Sequence, residues 1–195
     1  MKTLFLSLAL ALPVALPLAA QAAAPALKAG LFEPPRTAPE PALEASDGKP
    51  FKLADYRGKV VVLEFGYTHC LEVCPVSLAS LAQARTLLGA AADGVQVVFI
   101  TVDPERDGAP RLRSYLAQFD PGFIGLTGSP AQVKATLAAY GISATRTKGG
   151  SSAGYGMGHS SYLYFVDRQG MLRALMPYGR PAADIAHDLR LLLQR

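Results

Sequence analysis

The residues best equipped for chemistry lie in one short run, Phe65-Gly66-Tyr67-Thr68-His69-Cys70-Leu71-Glu72-Val73-Cys74-Pro75, which holds both cysteines of the chain. A thiol pair spaced CxxxC can do two things. As thiolates the sulfurs converge on one soft metal ion; oxidised, they close a disulfide. Cys74 stands just before a predicted helix, whose free N–H groups and dipole favour a thiolate. Helical i,i+4 spacing alone puts the Cα atoms near the upper limit for a disulfide. A third metal donor must be soft or borderline, which leaves His69, His159, His187 and the four methionines. Neighbouring side chains of an extended segment point to opposite faces, so His69 reads as a structural imidazole beside Cys70. His187 falls on the solvent side of the last predicted helix. His159 ends a Gly-rich stretch just ahead of a strand, and Met157 lies two positions earlier. Two thiolates and one imidazole leave an incomplete shell. A structural zinc takes four protein ligands, whereas an open three-ligand site suits copper that is passed on.

The elements that must position these residues alternate. Residues 59–65 (KVVVLEF) and 95–102 (VQVVFITV) are short β-branched runs that read as buried parallel strands. Helical spacing covers 75–92, 109–119, 130–140 and 181–193, with a short strand over 123–126. Residues 148–158 read as a Gly/Ser-rich loop. Residues 162–166 and 172–176 read as strands joined by the turn Asp167-Arg168-Gln169-Gly170. Strands separated by helices and ending in a hairpin and a helix indicate an α/β domain with a central mixed sheet. A strand–CxxxC–helix start on that layout points to a thioredoxin-like fold, with the Cys loop at the C-terminal end of the first buried strand. That layout brings the strand after His159 back beside the Cys pair.

Residues 1–22 read as a secretory signal peptide: Lys2, an apolar run, then Ala20-Gln21-Ala22 as a cleavage pattern. Residues 23–45, rich in Ala and Pro, read as an extended, poorly ordered arm, and residues 46–195 as the domain. The expected location is an exported compartment, periplasmic in a bacterium, with membrane association if the first segment stays in place. The 195 residues carry a formal charge of +4, and Lys and Arg are scattered rather than clustered, which argues against a nucleic-acid groove. Two cysteines are too few for a disulfide scaffold or a four-Cys zinc site. A monomer is expected.

Residues 65–75 resemble the F-G-[FY]-T-H-C-P-D-V-C-P signature of the Sco (SenC) family, copper-handling proteins of cytochrome c oxidase assembly. Thr101-Val102-Asp103-Pro104-Glu105-Arg106-Asp107 and Gly125-Leu126-Thr127-Gly128 resemble its second and third segments. His159, ahead of a hydrophobic strand and a D-x-x-G turn, matches its histidine. The resemblance implies a thioredoxin-like fold, one copper per chain held by Cys70, Cys74 and His159, and delivery to the oxidase subunit that carries the Cu(A) centre. A second copper chaperone or a thiol reductant is a further partner implied by such chemistry. Leu71 and Glu72 replace the family's usual Pro and Asp, and Gly-Met-Gly precedes His159 where Val-Asp is common.

Two rivals compete for the same sulfurs. Glu64 lies in an apolar strand six residues before Cys70, the offset of thioredoxin's buried acid, so a thiol–disulfide oxidoreductase is the alternative. Against it stand the CxxxC spacing and the absence of any proline between Pro130 and Pro177. A peroxiredoxin-like peroxidase fits poorly, because Thr68 is two positions before Cys70 and no proline precedes it. Glu64, His69, Glu72, Asp103 and Met157 are the candidates for groups surrounding the ligands. Asp103 directly ends the second buried strand, whereas Asp107 reads as the N-cap of the next helix. Tyr162 and Tyr164 read as packing residues.

Overall fold

In the computed structural model, residues 26–148 and 154–194 are described; the signal-like segment 1–22 lies outside them. In chain order the elements are β1 (Gly30–Thr37), β2 (Glu44–Ala45), β3 (Val60–Gly66), α1 (Val73–Leu88), β4 (Val95–Thr101), α2 (Ala109–Leu116), β5 (Ile124–Thr127), α3 (Pro130–Tyr140), β6 (Ala144–Lys148), β7 (Tyr155–His159), β8 (Tyr162–Val166), β9 (Met171–Pro177) and α4 (Ala182–Leu193). Seven strands form one sheet in the order β1-β9-β8-β3-β4-β5-β2. The pairs β3–β4 and β4–β5 are parallel, and β3–β8, β8–β9, β1–β9 and β2–β5 are antiparallel. This is the mixed, thioredoxin-like sheet that the alternation of elements predicts.

Every residue of β3 and β4 is buried. Strands covered on both faces need apolar residues at every position, which explains continuous runs instead of alternation. Phe65 packs against Tyr140 of α3, with ring centroids 5.3 Å apart. On the other face Gly66 is overlain by α1: a Cβ there would lie 2.7 Å from Cys74 Sγ and 2.8 Å from the Phe99 ring. The missing side chain at Gly66 is therefore what lets Cys74 sit directly on the sheet.

The segment read as a loose arm is structured from residue 26 onward. Gly30–Thr37 pairs with β9 and Glu44–Ala45 with β5, while Ala29, Ala38 and Leu43 are buried. Asp188, fully buried in α4, accepts the backbone N–H groups of Lys28 and Ala29, each at 2.8 Å. Pro34 and Pro35 are accommodated because β1 is an edge strand, and its register shifts between Leu31 and Arg36. Composition alone pointed to disorder, and edge pairing overrides it.

The expected 148–158 loop is also different. Tyr155–His159 is a strand, paired antiparallel with Ala144–Lys148 in a separate two-stranded sheet; residues 149–153 lie outside the described ones. Glycines at 156 and 158 hid the alternation that marks a strand. Of the two tyrosines read as packing, Tyr164 is buried, but Tyr162 is 39% exposed.

Candidate metal centre

The Cys loop runs from the end of β3 into α1. Its turn is closed by the Cys70 N–H donating to Tyr67 O at 3.2 Å. It is clamped from beneath by Asp107, whose carboxylate is fully buried. Asp107 Oδ2 accepts the Thr68 N–H at 2.9 Å and the Thr101 hydroxyl at 2.8 Å; Oδ1 accepts the Thr68 hydroxyl at 2.6 Å. Arg111 Nε donates to that same hydroxyl oxygen at 3.0 Å. Asp107 is thus not a helix cap: Gly108 occupies the N-cap of α2. A carboxylate taken from water needs several donors, and the Cys loop and the end of β4 supply them.

Within this frame the two sulfurs differ. Cys74 is buried and Cys70 half-buried, and both are free thiols. Cys70 Sγ accepts the Cys74 N–H at 3.4 Å. The Cys74 thiol, together with His159 and the first N–H groups of α1, holds the Cys70 thiol down to about 4, against the effect of burial. Cys74 is pushed strongly up, by its bond to Cys70 and by burial. Burial and the Cys74 N–H thus favour the thiolate on Cys70 and the proton on Cys74.

His159 reaches the pair from the end of β7, with Nε2 3.9 Å from Cys74 Sγ. Its Nδ1 lies 3.0 Å from Ser160 O. A carbonyl can only accept, so Nδ1 carries a proton, and Nε2 is the nitrogen that faces the sulfurs. The Tyr67 ring meets the imidazole edge-on at 6.0 Å between centroids. Among the described residues no three His, Cys, Asp or Glu side chains stand ready-made around a point where an ion could sit. The donors are in hydrogen-bond contact instead, and a soft ion that displaced the Cys74 proton would replace those contacts with bonds to Cys70, Cys74 and His159.

The other candidates divide. Met157 lines, with Tyr67, Cys70, Leu71 and His159, an open cavity of about 400 Å³. His69 turns to the clamp beneath the loop, with Nδ1 3.2 Å from Thr68 Oγ1 and 3.9 Å from Asp107 Oδ1. Glu72 is exposed, and its backbone N–H contributes to holding the Cys70 thiolate. Asp103 does not line the cavity; its carboxylate pairs with Arg106 and accepts the Tyr155 hydroxyl. Glu64 lies beneath α1, 5% exposed, hydrogen-bonded to Ser77, with Oε2 lacking a partner. Burial pushes its carboxyl up to about 8. His187 is half-buried against Asp188, remote from the sulfurs in the sequence and in its partners.

Sequence reasoning missed Tyr155, and it placed Arg106 only within the 101–107 segment at the edge of the Cys loop. Tyr155 shares a strand face with Met157 and His159, and that signal becomes readable once 155–159 is taken as a strand.

Comparison with known proteins follows the same lines. The family described as SCO1/SenC matches residues 33–194. The mitochondrial Protein SCO2 homolog of Mus musculus is 36% identical over 145 residues, covering 73% of this chain and 57% of that protein. The chain thus spans little more than half the length of that relative. Among solved structures, apo Sco1 from Thermus thermophilus superposes with a TM-score of 0.77 at 31% identity, covering 88% of this chain and 99% of that one. Bradyrhizobium japonicum ScoI, solved with copper bound, gives 0.68 at 32% identity, covering 81% and 97%. With a match across nearly the whole described domain and a fold in agreement, the chain belongs to the SCO1/SenC family.

Proposed function

We propose that this chain is a copper carrier, binding one copper through Cys70, Cys74 and His159 and handing it to the oxidase subunit that carries the Cu(A) centre. The observation that carries the reading is the meeting of His159 Nε2 with the cysteine pair across 85 residues of sequence. The copper-bound state of the Bradyrhizobium relative supports the choice of ion. Thiolates and imidazole accept both Cu(I) and Cu(II), the two states met in an exported compartment. The signal-like residues 1–22 support that location, and no helix among the described residues is long and apolar enough to cross a membrane.

The chain's own residues do three things. Cys70 offers a thiolate at neutral pH. Cys74 gives up its proton when the ion binds. His159 closes the third side through Nε2, its tautomer held by Ser160 O. Leu71, 74% exposed at the cavity rim, offers an apolar tip to a docking partner.

A second reading is favoured by one observation, the asymmetry of the sulfurs. An accessible thiolate next to a buried, protonated thiol is the arrangement of an attacking and a resolving cysteine. In that reaction Cys70 attacks an acceptor disulfide, releasing one acceptor thiolate. Cys74 then displaces the second, leaving an oxidised pair here and a dithiol there. An anaerobic Cu(I) titration of the reduced protein against a competing chelator, beside His159→Ala, decides. One-to-one binding that weakens at least about tenfold in the variant supports the carrier. Weak binding indifferent to His159 leaves the dithiol reading.

A further inference from the structure

The ribbon that carries His159 is not stitched into the main sheet: β6 and β7 form a sheet of their own. Side chains tie it to the loop between β4 and α2. The Tyr155 ring is sandwiched between two guanidinium groups, with Arg106 Cζ 3.6 Å and Arg146 Cζ 4.2 Å from its centroid. The Tyr155 hydroxyl donates to Asp103 Oδ1 at 3.0 Å, and Arg106 Nη1 donates to Tyr155 O at 3.1 Å. Arg106 is itself fixed by the buried Asp103 carboxylate, and Arg146 pairs with Glu105 at 2.6 Å. Tyr155, Met157 and His159 alternate along β7, so the latched residue and the imidazole share one face of one strand. Arg106 also approaches the Tyr67 ring, at 5.7 Å, and Tyr67 meets His159.

We propose that Arg106 and Tyr155 form a latch that positions His159, so that the third ligand is present only while the ribbon is docked. This rests on the copper reading above and deepens it. Neither residue touches the sulfurs, so both are positioning residues. Undocking withdraws the imidazole together with its strand and leaves two thiolates, the state from which an acceptor's donors take the ion most readily. The contacts are charge-assisted or cation–π; those of Asp103 and Arg106 are shielded from water, where such contacts are strongest, while the Arg146–Glu105 pair is exposed and adds less.

The test starts with the metal-free protein. In the wild type, proton NMR should show a through-space contact between the His159 and Tyr67 rings. Tyr155→Leu should abolish it and leave the Thr68 amide, clamped by Asp107, at its wild-type shift. Tyr155→Phe keeps the ring between the guanidiniums and should fall between the two. Cu(I) competition should then show Tyr155→Leu weakened by about tenfold, the size expected for losing a cation–π and a charge-assisted contact. The double variant Tyr155→Leu/His159→Ala should bind no more weakly than His159→Ala alone. A ring contact that survives in Tyr155→Leu overturns the latch, as does a copper loss that adds to that of His159→Ala. Should the wild type bind no copper, the carrier reading falls, and the ring contact still decides the latch.

Discussion

The two halves of the site are held by different means. The Cys half grows out of β3, whose seven residues are all buried, and its loop is fastened by hydrogen bonds from backbone and hydroxyl groups to one buried carboxylate. The His half stands at the end of a two-stranded ribbon, fastened by side chains whose rings and guanidiniums stack near the surface. One loop, residues 103–107, serves both: Asp107 grips the Cys half, and Asp103 with Arg106 grips the ribbon. The contrast teaches that a firmly held pair of sulfurs can coexist with a more loosely held imidazole, because different side chains of that loop restrain each half.

The largest break should come at Asp107. Asp107→Ala strands the Thr68 N–H and two hydroxyls in a dry interior, a loss of about 4 kcal/mol in urea unfolding, with Asp107→Asn milder. Next comes Glu64, beneath the Cys half. Its carboxyl is raised by burial to about 8, so the folded state keeps a proton that the unfolded chain releases near its ordinary value. Stability is untouched below the unfolded pKa, falls as pH rises from there to about 8, and stays low above. Glu64→Gln removes that cost and should stabilise the protein at pH 7 by about 3 kcal/mol, with the gain disappearing in acid. Unfolding measured at pH 4 and pH 8 checks both the size and the sign.

The Cys74 proton sets the third expectation. With Cys70 already a thiolate and Cys74 protonated, Cu(I) uptake should release about one proton. The affinity should then rise by about tenfold per pH unit above the histidine range, readable by competition titration at several pH values. The smallest effect sharpens the contrast most. Tyr155→Leu should cost about 1 kcal/mol or less in global unfolding, because the ribbon adds little to the core. Amide exchange should likewise be faster in β7 than in β3. Equal protection of the two strands would show that the halves are one rigid unit.

How much of this was legible beforehand depended on the range of the interactions. The β3 and β4 runs announce buried strands because every position must be apolar when both faces are covered. The Asp167–Gly170 turn announces its hairpin for an equally local reason, since Gly170 has a φ of 77°. The ribbon was hidden, because Gly156 and Gly158 remove the side chains that would have shown alternation. Residues 29–38 were misjudged because their order comes from β9 and from Asp188, about 140 to 160 positions later. Asp107 was misjudged because an acidic residue before a helix looks like a cap, and only the tertiary fold shows that its partners lie on the Cys loop.

By itself, the sequence determined which side chains are candidate donors, the spacing of Cys70 and Cys74, and the placement of that pair between a buried strand and a helix. Those are matters of a dozen neighbouring residues and of local backbone preference. The tertiary structure decided that Cys74 is buried while Cys70 is half-exposed and accepts the Cys74 N–H, which favours the thiolate on Cys70, and that Nε2 of His159 is the nitrogen presented. It also decided that Arg106 and Tyr155, 49 positions apart, hold the histidine in place. Proton position, tautomer and docking depend on burial and on partners distant in the chain, and these exist only once the chain has folded.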